Sequence, residues 1–289
     1  MKLVRFGEPG KERPGVWVES ADGARVLDIR AMAFDMADFH AHFFAQQGID
    51  RLRGLLQEAQ PKLLPADGLR LGPPIARPGQ IICVGKNYAD HAREFDSQVP
   101  TSPILFAKSP ATMTGPHDPI ILPPGCESVD AEAELAVVIG CTARRLSESE
   151  ALSVVAGYTV LNDVTERQLQ RSAGQWFLGK SCDTFCPLGP WLVTPDEVGD
   201  PQNLRVSARL NGKPMQDGHT SQMLFGVARL IAYASTFCTL NPGDVLATGT
   251  PSGVGFARQP PIFLTAGDIT EATVERIGTL RNIVQPSHE

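Results

Sequence analysis

The apolar and polar positions of about the first sixty residues follow two different periods. Alternation in KLVRF, GVWVES and ARVLDI predicts three short strands, because neighbouring side chains of a strand point to opposite faces. A pattern closer to that of a helix follows, and it predicts a helix over residues 31–47. This part of the chain is therefore expected to form a small α+β unit.

The composition changes to proline and glycine between residues 61 and 80. The prolines of this stretch are Pro61, Pro65, Pro73, Pro74 and Pro78. Proline has no amide hydrogen and restricts the residue before it, so the stretch predicts an extended connection rather than a helix. We place a domain boundary here, which gives a small N-terminal α+β domain at residues 1–71 and a second domain at residues 72–289.

The second domain alternates short apolar runs with glycine and proline, a pattern typical of β structure. The runs are IICVG, PIILPPG, ELAVVIG, GYTVLND, WLVTP, GDVLATGTP and GDITEATVERIG. Helical patterns interrupt them at residues 147–156 and 221–237. Since strands and helices do not alternate regularly, the sequence predicts an α+β, mostly β fold with a rolled or sandwiched sheet.

Composition and charge narrow the classes of function. The 289 residues include 26 Lys and Arg against 32 Asp and Glu, so no basic surface is expected for nucleic acid or anionic lipid. The sequence shows neither a signal peptide nor an apolar run of about 18 residues, which predicts a cytoplasmic protein without a membrane partner. Its six cysteines lack histidines at zinc-finger spacing, so reduced thiols are expected.

The strongest chemical signal is VDAEAELAVVIG, residues 129–140. Asp130, Glu132 and Glu134 alternate there with apolar residues, so a strand would place all three carboxylates on one face. Like charges repel, and the apolar continuation predicts that the strand enters the core, where a divalent cation would compensate the charge. Oxygen-only ligands suit Mg²⁺, Mn²⁺ or Ca²⁺. The alternative is an edge strand with a solvated acidic face.

A second group of polar residues lies in GYTVLNDVTERQLQR, residues 157–171. An apolar strand runs into Asp163, and a helical turn would then place Asp163, Arg167 and Gln170 on one face. An acid, a cation and an amide on one face suit an anionic ligand beside a metal. The alternative is that Asp163 caps the helix and pairs locally with Arg167.

A histidine and a carboxylate lie three residues apart in GKNYADHAREF, residues 85–95. If this segment is helical, Glu94 can orient His91 and raise its basicity, and such a pair can activate water. Ordinary surface turns contain the same spacing, so the segment alone does not decide between a catalytic pair and a surface turn.

Two further segments offer polar groups with two interpretations each. Lys180 follows an apolar stretch and is either a charged group in a pocket or a lysine whose ammonium reaches the surface. The glycine-rich segment NPGDVLATGTPSGVG contains Thr248 and Thr250. This segment either cradles a carboxylate through backbone amides or closes a hairpin.

Seven segments, taken in order, resemble the fumarylacetoacetate hydrolase family. They are GKNYADHAREF, PILFAKSPATMTGPHDPIILPP, VDAEAELAVVIG, GYTVLNDVTERQLQ, GQWFLGKSCDTFCPLGPWLVT, NGKPMQDGHT and PGDVLATGTPSGVG. The resemblance covers about residues 72–284, and the block around Lys180 is similar to the branch of 2,4-diketo-3-deoxy-sugar-acid hydrolases and of proteins labelled ureidoglycolate lyase. It implies a mixed β-sandwich roll that is usually a homodimer.

The resemblance also implies a metal site and a group that activates water. Glu132, Glu134 and Asp163 match the residues with which the family holds Mg²⁺ or Mn²⁺. His91 and Glu94 match the family's water-activating pair. The resemblance thus favours a metal over a solvated acidic strand, and a catalytic pair over a surface turn.

The remaining site residues follow from the same resemblance. Lys180 matches the family's active-site lysine, and the positions that line the ligand pocket are matched by Arg167, Gln170 and Thr250. The chain departs from the family's usual residues at Ala131, Gln168 and Phe177. None of these departures removes a metal ligand, but they leave the substrate open.

The resulting hypothesis is metal-dependent hydrolysis of a carbon–carbon bond in a 2,4-diketo acid, with release of pyruvate. The substrate would be an acylpyruvate or a 2,4-diketo-3-deoxy-sugar acid, since its carboxylate and ketone oxygens suit a hard cation such as Mg²⁺. Oxaloacetate decarboxylation, enol–keto isomerisation and ureidoglycolate cleavage are alternatives on the same site. The alternative outside the enzymes is a non-catalytic module that binds a metal and a dicarboxylate.

Overall fold

The computed structural model describes residues 1–58, 63–94, 98–172 and 174–287. The strands are β1 Lys2–Phe6, β2 Arg13–Ser20, β3 Gly23–Asp28, β4 Leu63–Pro65, β5 Leu71–Gly72, β6 Ile81–Gly85, β7 Ile104–Lys108, β8 Met113–Thr114, β9 Ile120–Leu122, β10 Val129–Asp130, β11 Ala133–Ile139, β12 Val155–Asn162, β13 Thr165–Glu166, β14 Cys186–Val193, β15 Arg205–Leu210, β16 Lys213–His219, β17 Val245–Ala247, β18 Ile269–Val274 and β19 Gly278–Pro286.

Short helices connect the strands. They are α1 Ala41–Ala45, α2 Gly48–Glu58, α3 Ala89–Glu94, α4 Glu148–Ala151, α5 Arg167–Ser172, α6 Phe177–Lys180, α7 Pro195–Val198 and α8 Val227–Phe237, together with single 3-10 turns. Within the described ranges, none of these helices has the length and apolar character needed to cross a membrane.

The largest sheet runs through both parts of the chain. Its strands lie in the order β4-β3-β2-β1-β14-β12-β11-β17-β6-β7, and β5 and β8 pair at its side. The junction is the antiparallel pair of β1 and β14, where Lys2 lies opposite Val193. Strands of residues 1–71 therefore extend the sheet of the second part, and the division at residue 72 stays a prediction.

A second sheet, in the order β16-β15-β18-β19-β9, packs against the first. One apolar core joins Leu135 of β11 to Val206 of β15, Ala272 of β18 and Leu230 of α8. Because side chains of two facing sheets form this core, the molecule is a β-sandwich with a few helices at its edges. The predicted fold class, α+β and mostly β with a mixed sandwich, is confirmed.

The helix predicted over residues 31–47 is wrong. In its place lie turns, irregular chain and the short helix α1, and α2 begins only at Gly48. The Nδ1 of His40 accepts a hydrogen bond from the amide of Phe43 at 3.2 Å, so a new helix starts only at this point. Gln47 then ends α1, since its φ of 54° is outside the right-handed helical region.

The two other predicted helices exist but are shorter than expected. The helix of residues 147–156 ends with α4 and a 3-10 turn, because Val155 already belongs to the buried run of β12. The helix of residues 221–237 begins only after Gly226, whose extended backbone precedes α8. In both places, residues at one end of the predicted helix adopt an extended conformation instead.

The strand predicted over residues 129–140 is interrupted at Ala131 and Glu132, between β10 and β11. The amide of Glu132 donates to the side chain Oδ1 of Asn162 at 3.0 Å instead of to a strand neighbour. β11 itself is buried along its whole length, between β12 and β17. The interruption therefore lies directly before a strand that is buried at every residue.

Candidate active site

Three carboxylates meet where β11 begins and β12 ends. One oxygen from each of Glu132, Glu134 and Asp163 lies within 4.8 Å of the others, and all three residues are buried. The alternative of a solvated edge strand is therefore wrong. Asp130 does not share this group, because its Oδ1 pairs with Arg167 and its Oδ2 accepts the amide of Phe256.

Three buried cations surround the carboxylates. The ammonium of Lys180 lies 2.7 Å from Glu132 Oε2 and 2.5 Å from Asp163 Oδ2. Lys108 donates to the other oxygen of Asp163 at 2.7 Å. Arg167 bridges Asp130 at 2.7 Å and Glu132 at 2.5 Å. Lys180 is thus a charged group inside a pocket, and the interpretation as a surface lysine is wrong.

The two glutamates of this site differ in their electrostatic surroundings. Burial alone would raise the pKa of Glu132, but the positive charges of Arg167 and Lys180 outweigh it and hold the pKa below its usual range. Burial raises the pKa of Glu134 well above its usual range, and the nearby carboxylates of Asp163 and Glu132 raise it further. Glu134 is therefore the carboxylate whose charge is least compensated.

The contacts of Glu134 show whether a metal fits this site. Its Oε2 accepts the amide of Gly249 at 2.7 Å, and no cation of the described residues forms an ion pair with it. A buried, ionised carboxylate without a cation is costly, and a divalent ion beside three hard oxygen donors removes this cost. The residues therefore fit a hard divalent ion such as Mg²⁺, Mn²⁺ or Ca²⁺.

His91 and Glu94 lie on α3 and form a hydrogen-bonded pair. The distance from His91 Nδ1 to Glu94 Oε2 is 3.1 Å, and the amide of Gly253 donates to Glu94 Oε1 at 2.7 Å. His91 is buried, so the alternative of an ordinary surface turn is wrong. The pair is held from two directions, by its own helix and by the loop after β17.

A cavity of about 340 Å³ brings these groups together. His91, Lys180 and the three carboxylates line one part of it, and the rings of Phe106 and Trp176 line another. Arg167, Gln170 and Thr250 also face the cavity. Phe177 does not line it, and 52% of its surface is exposed.

The geometry predicted for Asp163, Arg167 and Gln170 is wrong, although all three reach the cavity. Asp163 lies in the link between β12 and β13, and α5 begins only at Arg167, so the three do not share a helical face. Arg167 pairs with Asp130 and Glu132 and also donates to Gln170 Oε1 at 3.1 Å. Asp163 therefore neither caps α5 nor pairs with Arg167.

The hydroxyl of Thr250 has two partners within the protein. It donates to the carbonyl of Ala133 at 2.8 Å and accepts from Gln216 Nε2 at 2.7 Å. Its hydrogen is thus committed to the backbone at the start of β11. The segment that holds it also supplies the amide of Gly249 for Glu134, a carboxylate of the protein itself. A cradle for the carboxylate of a ligand stays a prediction.

Sequence reasoning missed Lys108. It lies at the end of β7 and opposite Ile81 of β6, and its side chain is fully buried. The available signal was a lysine at the end of the otherwise apolar run ILFA, which predicts a charge carried into the core. Its carboxylate partner, Asp163, is 55 residues away in the chain, so no local pattern connects the two.

The chain belongs to the fumarylacetoacetate hydrolase family. The family model described as fumarylacetoacetate (FAA) hydrolase C-terminal matches residues 80–285. The resemblance seen in the sequence is therefore confirmed.

Named relatives of this chain are enzymes of more than one kind. It is 46% identical over 286 residues to 2,4-didehydro-3-deoxy-L-rhamnonate hydrolase of Sphingomonas sp. (strain SKA58). The aligned residues cover 98% of this chain and 96% of that protein. It is 44% identical over 287 residues to oxaloacetate tautomerase Fahd2a, mitochondrial, of Rattus norvegicus, with 98% and 91% covered. The solved structure of a fumarylacetoacetate hydrolase from psychrophilic Exiguobacterium antarcticum is similar with a TM-score of 0.84, at 38% identity over 99% of this chain and 100% of that one.

Proposed function

We propose that this protein hydrolyses a carbon–carbon bond in a 2,4-diketo acid, releases pyruvate and needs a divalent cation. The observation that carries the proposal is that His91, held by Glu94, lines the same cavity as the three buried carboxylates. A group that can take a proton from water thus lies beside oxygen donors suited to a hard cation. This combination favours a hydrolase over a module that only binds a dicarboxylate.

Glu132, Glu134 and Asp163 would hold the ion, for which Mg²⁺ is our proposal and Mn²⁺ or Ca²⁺ the substitutes. When bound, such an ion supplies positive charge that polarises a carbonyl group and stabilises developing negative charge. The protein itself supplies the remaining functions through His91 and Lys180.

Glu94 determines which nitrogen of His91 takes part in proton transfer. An ionised carboxylate only accepts hydrogen bonds, so His91 donates from Nδ1 and Nε2 is the nitrogen that accepts a proton. The amide of Gly253 holds the second oxygen of Glu94 and so fixes the orientation of the pair. His91 can therefore take a proton from a water molecule that attacks the distal carbonyl carbon of the substrate.

The bond between the distal carbonyl carbon and the pyruvyl methylene breaks next. Its electron pair leaves with the methylene carbon as the enolate of pyruvate, and the distal fragment leaves as a carboxylic acid. The buried ammonium of Lys180 places positive charge in the cavity where this enolate forms. The proton taken up by His91 then returns to the methylene carbon and completes the methyl group of pyruvate.

Turnover by the purified protein with Mg²⁺ tests this proposal. The substrates are 2,4-dioxopentanoate, a 2,4-diketo-3-deoxy-sugar acid, oxaloacetate and ureidoglycolate. We expect the highest kcat/KM for a 2,4-diketo acid, with one pyruvate released for each substrate consumed. If neither diketo acid yields pyruvate, the proposal is wrong.

A second candidate is keto–enol tautomerisation of oxaloacetate, favoured by the similarity of nearly the whole chain to a protein named oxaloacetate tautomerase. This reaction moves a proton between C3 and the enol oxygen and needs no attacking water, so His91 and Lys180 would suffice. The decay of enol-oxaloacetate absorbance in the presence of the protein measures it. A larger kcat/KM for tautomerisation than for hydrolysis of any diketo acid would make it the main function.

We also propose that the protein is a cytoplasmic homodimer whose partners are small-molecule diketo acids rather than nucleic acid or membranes. Light scattering of the purified protein should give twice the mass of one chain. Fractionation of producing cells should place the protein in the cytosol. The name of the rat relative includes the word mitochondrial, and recovery from an organelle would contradict the cytoplasmic location.

A further inference from the structure

Four cationic side chains line the active-site cavity, and they fall into two pairs. Lys180 and Arg167 form ion pairs with the buried carboxylates. Lys86 and Arg171 line the same cavity, yet no carboxylate of the described residues forms an ion pair with either. The site therefore has positive charge that its own acidic residues do not neutralise.

The guanidinium of Arg171 is placed by an aromatic ring. Its Cζ lies 4.2 Å from the centre of the Phe256 ring, and Arg167, one helical turn earlier, lies 5.8 Å from the same ring. The amide of Phe256 in turn donates to Asp130 at 2.8 Å. This contact places Arg171 over the ring of Phe256. An arginine on the face of an aromatic ring can still donate hydrogen bonds from the edge of its guanidinium.

Arg171 lines the cavity from an exposed position on α5. It also borders a shallow trough of about 420 Å³ together with Ser128, Gln168 and Phe256. Lys86 comes from a distant part of the chain, directly after β6, and is half-buried. Two cations from separate elements thus line one cavity whose inner part is lined by the three carboxylates.

We propose that Lys86 and Arg171 form a second anion-binding site that holds a carboxylate at the far end of the substrate. This inference rests on the proposed function, in which the keto-acid end of the substrate lies at the three carboxylates. Arginine binds a carboxylate through two parallel hydrogen bonds, and lysine adds a point charge. The preferred substrates are therefore 2,4-diketo dicarboxylates rather than diketo acids with neutral or polyhydroxylated ends.

Two substrates of equal length test this specificity. 2,4-Dioxoheptanedioate and 2,4-dioxoheptanoate share the reacting end and differ only in a terminal carboxylate or methyl group. With Mg²⁺ present, we expect kcat/KM to be larger for the dicarboxylate. Arg171→Gln and Lys86→Gln should each lower the ratio of the two kcat/KM values by about tenfold, the loss expected for one hydrogen bond to a charged group.

Two control variants separate specificity from general damage. Arg171→Lys keeps the charge and should recover part of the ratio, whereas a purely structural role would not follow the charge. Lys213→Gln removes an exposed lysine outside the cavity and should leave the ratio unchanged. If Arg171→Gln and Lys86→Gln leave the ratio as it is in the unchanged protein, the proposed second site is wrong.

A binding experiment decides the question even if the protein does not cleave diketo acids. Calorimetric titration with 2-oxoheptanedioate and 2-oxoheptanoate uses ligands that lack the second keto group. We expect the dicarboxylate to bind more tightly, and Arg171→Gln to remove the difference. Absence of cleavage with this preference intact would reject the hydrolase and keep the second site, and equal affinities of the two ligands would reject the second site.

Discussion

Glu132 and Glu134 are two residues apart in the chain, but among the described residues the negative charge of Glu132 is compensated by ion pairs and that of Glu134 is not. Glu132 lies between Arg167 and Lys180, whereas Glu134 has a backbone amide as its hydrogen-bond partner. Removing the charge of Glu132 leaves buried cations undercompensated, and removing the charge of Glu134 relieves repulsion with its acidic neighbours. Replacement by glutamine should therefore lower the stability of the metal-free protein at position 132 and raise it at position 134.

We expect the metal-free Glu134→Gln protein to have a higher Tm than the metal-free unchanged protein, by at least about 2 °C. Glu132→Gln should instead lower Tm by several degrees, because loss of one partner of a buried ion pair costs about 3–5 kcal/mol. Differential scanning calorimetry after exhaustive chelation measures both. A lower Tm for both variants would contradict the assignment of the uncompensated charge to Glu134.

The same variants test the metal site. Added Mg²⁺ should raise Tm of the unchanged protein, since a ligand that binds the folded state stabilises it, and should raise Tm of neither variant. Chelation should abolish turnover by the unchanged protein, and Mg²⁺ or Mn²⁺ should restore it. Full activity after chelation would remove the metal from the proposed function.

His91→Ala separates proton transfer from metal binding. We expect kcat for a diketo acid to fall by at least about a hundredfold, the usual contribution of a general base, with Mg²⁺ affinity nearly unchanged. His117→Ala is the matched control, because His117 is exposed and does not line the cavity. Loss of Mg²⁺ binding in His91→Ala would give His91 a different role, and unchanged turnover would remove it from the mechanism.

Among the elements, α5 and α6 carry Arg167 and Lys180 and touch each other at Gly179. A Cβ atom at this position would collide with the carbonyl oxygen of Glu166 and lie 2.5 Å from the amide nitrogen of Gln170. The two helices can therefore approach closely only because residue 179 has no side chain. This close approach sets where the ammonium and the guanidinium stand in the cavity.

Gly179→Ala should move α6 away from α5 and lower kcat/KM by about tenfold or more, because small displacements of positioned groups are costly to catalysis. Overpacking should also lower Tm by a few degrees. Gly54→Ala in α2 is the control, since no atom lies within 4 Å of a Cβ there and alanine favours a helix. Activity measured well below Tm distinguishes misplacement from unfolding, and normal kcat/KM for Gly179→Ala would contradict the argument.

The strands β10, β11 and β13 carry features that the sequence predicts and features that it does not. Of the two interpretations of the period-two pattern, burial of the carboxylates is correct, but the pattern did not predict the interruption at Glu132 or that both faces of β11 are covered. Leu135 and Val137 enter one core and Ala136 and Val138 enter the other. The helical spacing after Asp163 failed because β13 pairs with β10, and pairing of two-residue strands across more than thirty residues leaves no local pattern.

In the whole molecule, the N-terminal strands share a core with the sheet that carries the site. Leu3 and Leu27 pack in the same cluster as Ala136, Val138 and Leu192. A core that spans both parts of the chain favours unfolding as one unit. A substitution that destabilises the N-terminal strands should therefore also lower the temperature at which the active site loses its structure.

Leu3→Ala should lower Tm by several degrees, since a buried leucine replaced by alanine costs about 2–5 kcal/mol. The temperature at which activity is lost should fall by the same amount, and calorimetry should show one transition. Lys11→Ala, at an exposed position of the same region, should change neither value. Two separate transitions, or an N-terminal transition that leaves activity intact, would show that the two parts unfold independently.

The parallel pairing of β6 with β17 has a consequence for the order in which the ribosome makes the molecule. Residues 81–85 emerge early, and their strand partner, residues 245–247, emerges more than one hundred and fifty residues later. The amides of Gly249 and Gly253, which bind the carboxylates of Glu134 and Glu94, arrive with this late strand. A chain whose synthesis stops before β17 therefore already contains every charged residue that lines the cavity in the described part of the protein, but it lacks the strand and the amides that enclose them.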